Sequence, residues 1–370
     1  MKIHPNTKVI YGPPGTGKTT TLLNLTELLL SKVRANRIMF TSYTRTGAYV
    51  ARERALKAFD YNKKDFKWFS TLHGICFRLL GNPDVMRNKQ KLEFGRSIGT
   101  SFTFIDYQDD FAPQQTKGDR LMHIHEMSIK TDQGLEQCRL QYAPEIQSQV
   151  LVHFSKAYTE YKKANILIDF TDMLANALDL HEGDMPDVDY LIVDEAQDLF
   201  PLQWKVIEKL ARNVKQVIIA GDDDQCIHAW SGSAPEYLIN LEGKKEVLPQ
   251  SYRIPDKIHK LANKIISKVK NREPKKYKST TRQGSITYID NLHQLPIEDI
   301  TNGSWLLLAR NRSFIERYTT ACYKKCIIYK VVGANEAHNL GSVIPLWKKL
   351  EAGEDIFGHQ AKLVYSFLKA

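Results

Sequence analysis

An α/β fold built on a parallel sheet is predicted by the order of three kinds of segment. Short apolar, β-prone runs recur at 9–11, 38–41, 190–193 and 216–220, with helical patterns between several of them. Strands joined by helical crossovers produce that alternation. A glycine-rich turn follows the first run and opens an apolar helical pattern at 22–30, while acidic residues follow the third run. Ligands of open α/β sheets bind at the carboxyl edge, so both polar segments fall where a site is expected.

Between about 82 and 183 the pattern changes to longer helical stretches, such as 146–163, with few strand signals. A mainly helical insertion is expected there. Beyond 243, the segment 255–270 places Ile258, Leu261, Ala262, Ile265, Ile266 and Val269 on one face, with Lys257, Lys260, Lys264 and Lys268 beside it. That spacing predicts an amphipathic helix. Three further strand candidates, 285–289, 304–309 and 326–332, would begin a second α/β unit. The stretch 335–370 reads as a loop and helices ending in an amphipathic segment at 356–368. The expected organisation is a sheet domain from 1–83 and 184–243, an insertion at 84–183, and a partial second domain at 244–370.

The composition fits that plan. With 370 residues, 42% hydrophobic and 25% charged, the chain is long enough for two or three folded units and is not of a disordered type. No apolar run approaches the roughly 20 residues of a membrane-spanning helix, and residues 1–6 carry no apolar signal-peptide core. A cytoplasmic protein without a membrane partner is expected. Five cysteines, at 76, 138, 226, 322 and 326, lack paired metal-ligand spacing and read as reduced structural thiols. The net charge of +10 is concentrated, since 244–282 holds 13 Lys/Arg against 3 Asp/Glu. Such a stretch suits a polyanion or a solvated helix face, and charge alone does not separate the two.

The glycine-rich turn reads Gly12, Pro13, Pro14, Gly15, Thr16, Gly17, Lys18, Thr19, Thr20. It meets the pattern G-x-x-x-x-G-K-[ST] in the strand–loop–helix context that the pattern requires. Glycines let the backbone curl until successive N–H groups face phosphate oxygens, and the helix N-terminus adds its positive dipole end. Lys18 is expected on the β- and γ-phosphates and Thr19 on magnesium. The expected cofactors are therefore ATP and Mg2+, held by Gly12, Pro13, Gly15, Thr16, Gly17, Lys18, Thr19 and Thr20.

The run 190–193 ends in Asp194, Glu195, Ala196, Gln197 and Asp198. Asp194 is suited to hold magnesium through water, and Glu195 to orient and deprotonate an attacking water. Phosphoryl transfer depends on such positioning and on charge neutralisation.

With that DEAQD element in place, the chain resembles the superfamily-one helicases of the UvrD/Rep/PcrA type, and its remaining segments follow in the family's order. TSYTRTGA, from Thr41 to Ala48, resembles the segment that holds the DNA strand. STLHGIC, from Ser70 to Cys76, is similar to the T-x-H-x-x-C stretch, and IDFTDML, from Ile168 to Leu174, to the DFxDL phrase leading back into the first motor domain. GDDDQCIHAWSG, from Gly221 to Gly232, is close to GDxDQ-I-x-x-W-x-G and is the most specific of these. LPQSYR, from Leu248 to Arg253, resembles L-x-x-N-YR with Ser251 where asparagine is usual, and LLLARNR at 306–312 looks like the next segment.

The resemblance implies a RecA-like P-loop NTPase with a helical insertion and a partial second RecA-like domain. It implies a catalytic set of Glu195, Lys18, Gln225 as γ-phosphate sensor and Arg253 as arginine finger, with Tyr252 stacked on adenine. Tyr43, Thr44, Arg45, Thr71, His73 and Trp230 are implied contacts to single-stranded DNA or single-strand/duplex junctions. Stacking on aromatic rings contributes about 1–3 kcal/mol per base whatever the sequence, which suits Trp230 and Tyr43.

Two departures from the family stand out. Residues 1–11 contain no glutamine where the family reads adenine, and nothing after 332 resembles its later TxHxxKGLE-like and VxxTRA-like segments. Three function classes follow. One is an ATP-dependent DNA helicase, or part of one completed by a missing C-terminal region or a second polypeptide. Another is a DNA-stimulated ATPase that does not unwind. The third is a P-loop protein of another class, such as a nucleotide kinase, against which the GDDDQ…W string counts.

Overall fold

The computed structural model describes residues 1–370 apart from 59–60, 104–115, 228, 291–304, 310–311, 325–328, 330, 332–336, 359, 362–363 and 365–370. The chain divides into two compact units, one of residues 1–108 and 112–287 and one of 109–111 and 288–370.

Six strands of the first unit form one sheet in the order β3-β2-β4-β5-β1-β6. They are β1 Thr7–Tyr11, β2 Ile38–Ser42, β3 Phe69–Ser70, β4 Tyr190–Asp194, β5 Gln216–Gly221 and β6 Lys244–Val247. Every ladder is parallel, so the predicted α/β class holds. The sheet also runs past residue 243, because Lys8 to Tyr11 pair in register with Lys244 to Val247.

The strands read as unbroken apolar runs because both faces are covered. Val9 and Tyr11, Leu191 and Val193, and Val217 and Ile219 enter one core; Ile10, Ile192, Ile218 and Ala220 enter the other. The second core is closed by α1 Lys18–Leu30, through Leu22 and Leu29, and by α2 Arg45–Ala58, through Ala51 and Ala55. Opposite it lie α3 Leu72–Leu79 and, later in the chain, α8 Phe170–Asp179, α9 Pro201–Ala211 and α10 Pro235–Ile239. Trp204 of α9 is wholly buried and stacks on Tyr237 with 6.0 Å between ring centres.

Between α3 and α8 run the helices α4 Asn88–Ser97, α5 Lys117–Lys130, α6 Leu135–Tyr142 and α7 Ser148–Ala164. They bury a core of their own around Phe94, Ile124, Phe154 and Tyr158. The chain leaves and returns through one short pairing: Met86 N–H donates to the Ile168 carbonyl (2.8 Å), and Ile168 N–H to that of Asp84 (3.0 Å). Just after it, Asp169 caps α8 by accepting from the N–H groups of Thr171 and Asp172, both at 2.8 Å, and pairs with buried Lys162 at 2.6 Å. Burial alone would raise this carboxyl, yet the Lys162 charge and the cap hold it below the usual range.

The helix expected at 255–270 forms as α11 Asp256–Ile266. Two strand expectations fail: 285–289 and 305–309 are not in a sheet, and Tyr288, Leu306 and Leu308 are exposed. A β-prone run becomes a strand only where a neighbour takes its backbone hydrogen bonds and something covers its face. The expected strand at 326–332 and the amphipathic segment at 356–368 lie largely outside the described residues. In the second unit the clear elements are the helices Arg312–Lys324 and Ala337–Glu351. No helix among the described residues is long and apolar enough to cross a membrane.

Candidate functional site

The turn after β1 is shaped by its glycines. Gly12 N–H donates to the Gly221 carbonyl at the end of β5 (3.0 Å), and a Cβ at Gly12 would sit 2.5 Å from the Lys18 Cβ. Gly15 and Gly17 have φ of 73° and 79°, a region that glycine enters without strain. The Thr16 hydroxyl donates to the Pro13 carbonyl at 2.7 Å and closes the loop. Gly17 caps α1 without a side-chain bond, and the first turn, which includes exposed Thr20, holds no acidic residue. The N–H groups there are thus available to an anion.

Lys18 and Thr19 face the end of β4. Lys18 Nζ pairs with Glu195 Oε2, and the Thr19 hydroxyl donates to Asp194 Oδ2 at 3.4 Å. Asp194 is only 2% exposed. Burial pushes its carboxyl up to about 6 against the opposing pull of Lys18. Glu195 is in the left-handed backbone region (φ 56°), where a non-glycine residue is strained. Burial would raise its carboxyl too, but Lys18 and a Gln197 hydrogen bond hold it below the usual range. Asp194 and Thr19 offer hard oxygen donors beside the lysine, a set that suits magnesium completed by phosphate oxygens and water.

Sequence reasoning missed the residue that joins this pair to the next strand. Buried Gln197 donates to Glu195 Oε2 (2.9 Å) and Asp198 Oδ2 (3.2 Å), while its Oε1 accepts Asp222 N–H (2.9 Å). Asp222 then accepts from the Gln225 side-chain amide at 2.6 Å. Gln225 is itself exposed at the carboxyl edge. DEAQD and GDDDQ therefore form one hydrogen-bonded array, joined through the glutamine inside the first string.

The turn carrying Arg253 lies against the phosphate loop. Buried Ser251 donates its hydroxyl to the Pro14 carbonyl (2.8 Å) and accepts from the N–H of Ile254 (3.2 Å). Tyr252 N–H donates to the Gly15 carbonyl at 2.9 Å. The side chains of Tyr252 and Arg253 are exposed.

The residues expected at a DNA strand separate into groups. Thr44 and Thr71 are helix N-caps, accepting from Gly47 N–H (3.2 Å) and Gly74 N–H (3.3 Å). Tyr43 is half-buried, and burial raises its hydroxyl against a hydrogen bond with Ser231, which places it beside the turn that carries Trp230. Trp230 is 37% exposed. His73 meets Phe170 edge-on at 5.7 Å, and burial, with Lys130 nearby, lowers its imidazole to about 4. It is a neutral ring near pH 7. Arg45 opens α2, but its side chain lies outside the described residues. Thr71, His73 and Phe170 line a cavity of about 1200 Å³ together with Arg52, Arg87 and Lys89.

Residues 2–246 match the family described as UvrD/REP helicase N-terminal domain. The ATP-dependent DNA helicase PcrA of Leuconostoc citreum is 24% identical over 387 residues, covering 91% of this chain and 49% of that protein. The ATP-dependent DNA helicase PcrA of Staphylococcus aureus is 25% identical over 299 residues, covering 72% of this chain and 39% of that protein. The chain thus spans half or less of the length of these curated relatives. A family match over most of the first unit, on the residues that build the phosphate loop and its acidic partners, leads to one conclusion: this chain belongs to the UvrD/REP helicase family.

Proposed function

We propose that the chain is an ATP-driven DNA motor of this family, hydrolysing ATP in a manner coupled to a single strand of DNA. The observation that carries the reading is the convergence of Lys18, Thr19, Asp194 and Glu195 on adjacent turns at one sheet edge, with the Arg253 turn bonded to the same phosphate loop.

In this reading the loop N–H groups and Lys18 take the phosphates, which draws Lys18 off Glu195. The freed carboxylate then orients water and accepts its proton. Magnesium, when bound, neutralises charge on the β- and γ-phosphates, with Asp194 and Thr19 as its holders. Arg253 supplies positive charge to the γ-phosphate, an effect on the order of 10³–10⁵ in rate for such arginines elsewhere. Gln225 senses the γ-phosphate, and Tyr252 stacks on the adenine. The strand is taken up by Tyr43, Trp230 and the cationic cavity beside His73, with Arg45, Thr44 and Thr71 at its border. Single-stranded DNA, alone or at a junction with duplex, is the partner.

A second reading, a DNA-stimulated ATPase that does not unwind, is favoured by the missing strands at 285–289 and 305–309. The deciding measurement is ATP turnover by pure protein with and without single-stranded DNA, followed by displacement of a labelled strand. Equal turnover in both conditions would refute the coupling. Stimulated turnover without displacement selects the second reading, in which a further segment or polypeptide completes the motor.

A further inference from the structure

Besides the Lys162–Asp169 pair, buried charge is concentrated at a second place that the proposed chemistry does not use. The Lys275 side chain is 1% exposed, and its Nζ lies 2.9 Å from Asp222, 2.5 Å from Asp223 and 3.0 Å from Asp224. Neighbours reinforce the contact. Arg272 grips Asp224 through two hydrogen bonds, of 2.8 and 2.5 Å, and Glu273 N–H donates to Asp223 at 2.9 Å. An ammonium removed from water is stable only when its protons are met by acceptors, and here all three acceptors come from the loop that carries Gln225. Asp222 serves Lys275 with one oxygen and the Gln225 amide with the other.

The same segment is bound at its other end to the arginine turn. Three residues after Lys275, Lys278 N–H donates to the Pro249 carbonyl and Ser251 N–H to the Lys278 carbonyl, each at 2.8 Å. Gln250 Nε2 donates to the Ser279 carbonyl (2.8 Å), and Thr280 N–H to that of Ile254 (2.9 Å). Residues 272–280 therefore form a short brace, fixed by ions to the Gln225 loop and by backbone hydrogen bonds to the turn of Ser251 to Arg253.

We infer that Lys275 is a positioning residue that couples these two loops, so that Gln225 and Arg253 are held in one register beside the phosphate loop. The roles of Gln225 and Arg253 rest on the function proposed above, whereas the coupling itself is a property of the fold.

Amide hydrogen exchange on the full chain tests it. Lys275→Met should speed exchange at 222–226 and, with it, at 251–254, while β1 and α1 keep their protection. Asp223→Asn removes one of the three negative charges facing Lys275 and leaves two, so it should give a smaller change of the same pattern and serves if Lys275→Met does not fold. Loosening at 222–226 with 251–254 unchanged, in either variant, overturns the coupling. In turnover, Lys275→Met should lower kcat about 10- to 100-fold with ADP affinity within about threefold, and adding it to Gln225→Ala should cost nothing more. Multiplying losses in the double variant would overturn the inference. If the unaltered chain hydrolyses no ATP, the proposed function fails, and the exchange pattern still decides the coupling.

Discussion

Tyr252 and Gly15 are joined backbone to backbone, the N–H of one donating to the carbonyl of the other over 2.9 Å. The phosphate loop and the arginine turn are thus held in register by main-chain atoms, and the join is independent of the Arg253 side chain. A Cβ at Gly15 would overlap the Arg253 Cβ, and the φ of 73° adds backbone strain. Gly15→Ala should therefore lower stability by about 1–2 kcal/mol and weaken nucleotide binding at least about tenfold. Thermal melts and ADP calorimetry check it; wild-type affinity in the variant would refute the close packing.

Lys18 and Glu195 hold each other, so their variants should differ in kind. Lys18→Ala should abolish hydrolysis and leave much of the DNA affinity. Glu195→Gln should bind ATP at least as tightly as the wild type, because a competitor for Lys18 is gone, while turnover falls by about 10²–10⁴. Loss of nucleotide binding in Glu195→Gln would refute its assignment as the base.

Asp194 sets a pH dependence. Its carboxyl is raised to about 6 by burial, so the folded chain keeps it mainly protonated only below pH 6. The sign follows: this group's contribution to stability is present at low pH and lost as pH rises through 6. Cation binding needs the ionised form and so runs the other way. Magnesium-dependent nucleotide affinity should fall by about tenfold per unit below pH 6, and the dependence should vanish in Asp194→Asn. A flat profile for the wild type between pH 5 and pH 7, measured by titration with Mg·ADP, would count against this carboxylate as a metal holder.

The cavity beside His73 is lined by Arg52, Arg78, Arg87, Lys89, Lys91 and Lys130 against Glu126 and Asp169. If a strand lies there, Arg87→Ala and Lys89→Ala should each reduce the slope of log affinity against log salt by about 1. The lysines of α11 make a second, separate prediction of the same type. An unchanged salt slope in the α11 variants would return that helix to an ordinary solvated face.

What was legible in the sequence was what is local. The strand runs of β1, β2, β4 and β5 show because burial on both faces leaves unbroken apolar stretches, and the phosphate loop shows because its glycines and Lys18 lie within one turn. Gln197 and Lys275 were not legible as site residues, since they meet the GDDDQ loop across 25 and 52 residues of chain. Thr44 and Thr71 illustrate a different limit. A hydroxyl that suits a phosphate also suits a helix N-terminus, and these two cap α2 and α3. The runs 285–289 and 305–309 have the composition of strands, but a strand also needs a neighbour.

The ion pair between Lys18 and Glu195 makes the resting site selective by charge. An arriving ligand has to outbid a carboxylate already seated on the lysine, which a polyphosphate does with several formal charges and a nucleoside or monophosphate does poorly. The same pair occupies the Glu195 oxygen that the proposed mechanism assigns to water, until the lysine moves away. Under the proposed mechanism, the polyphosphate that draws Lys18 away also frees Glu195 to take a proton from the attacking water, so the base becomes available only when there is a phosphate to hydrolyse.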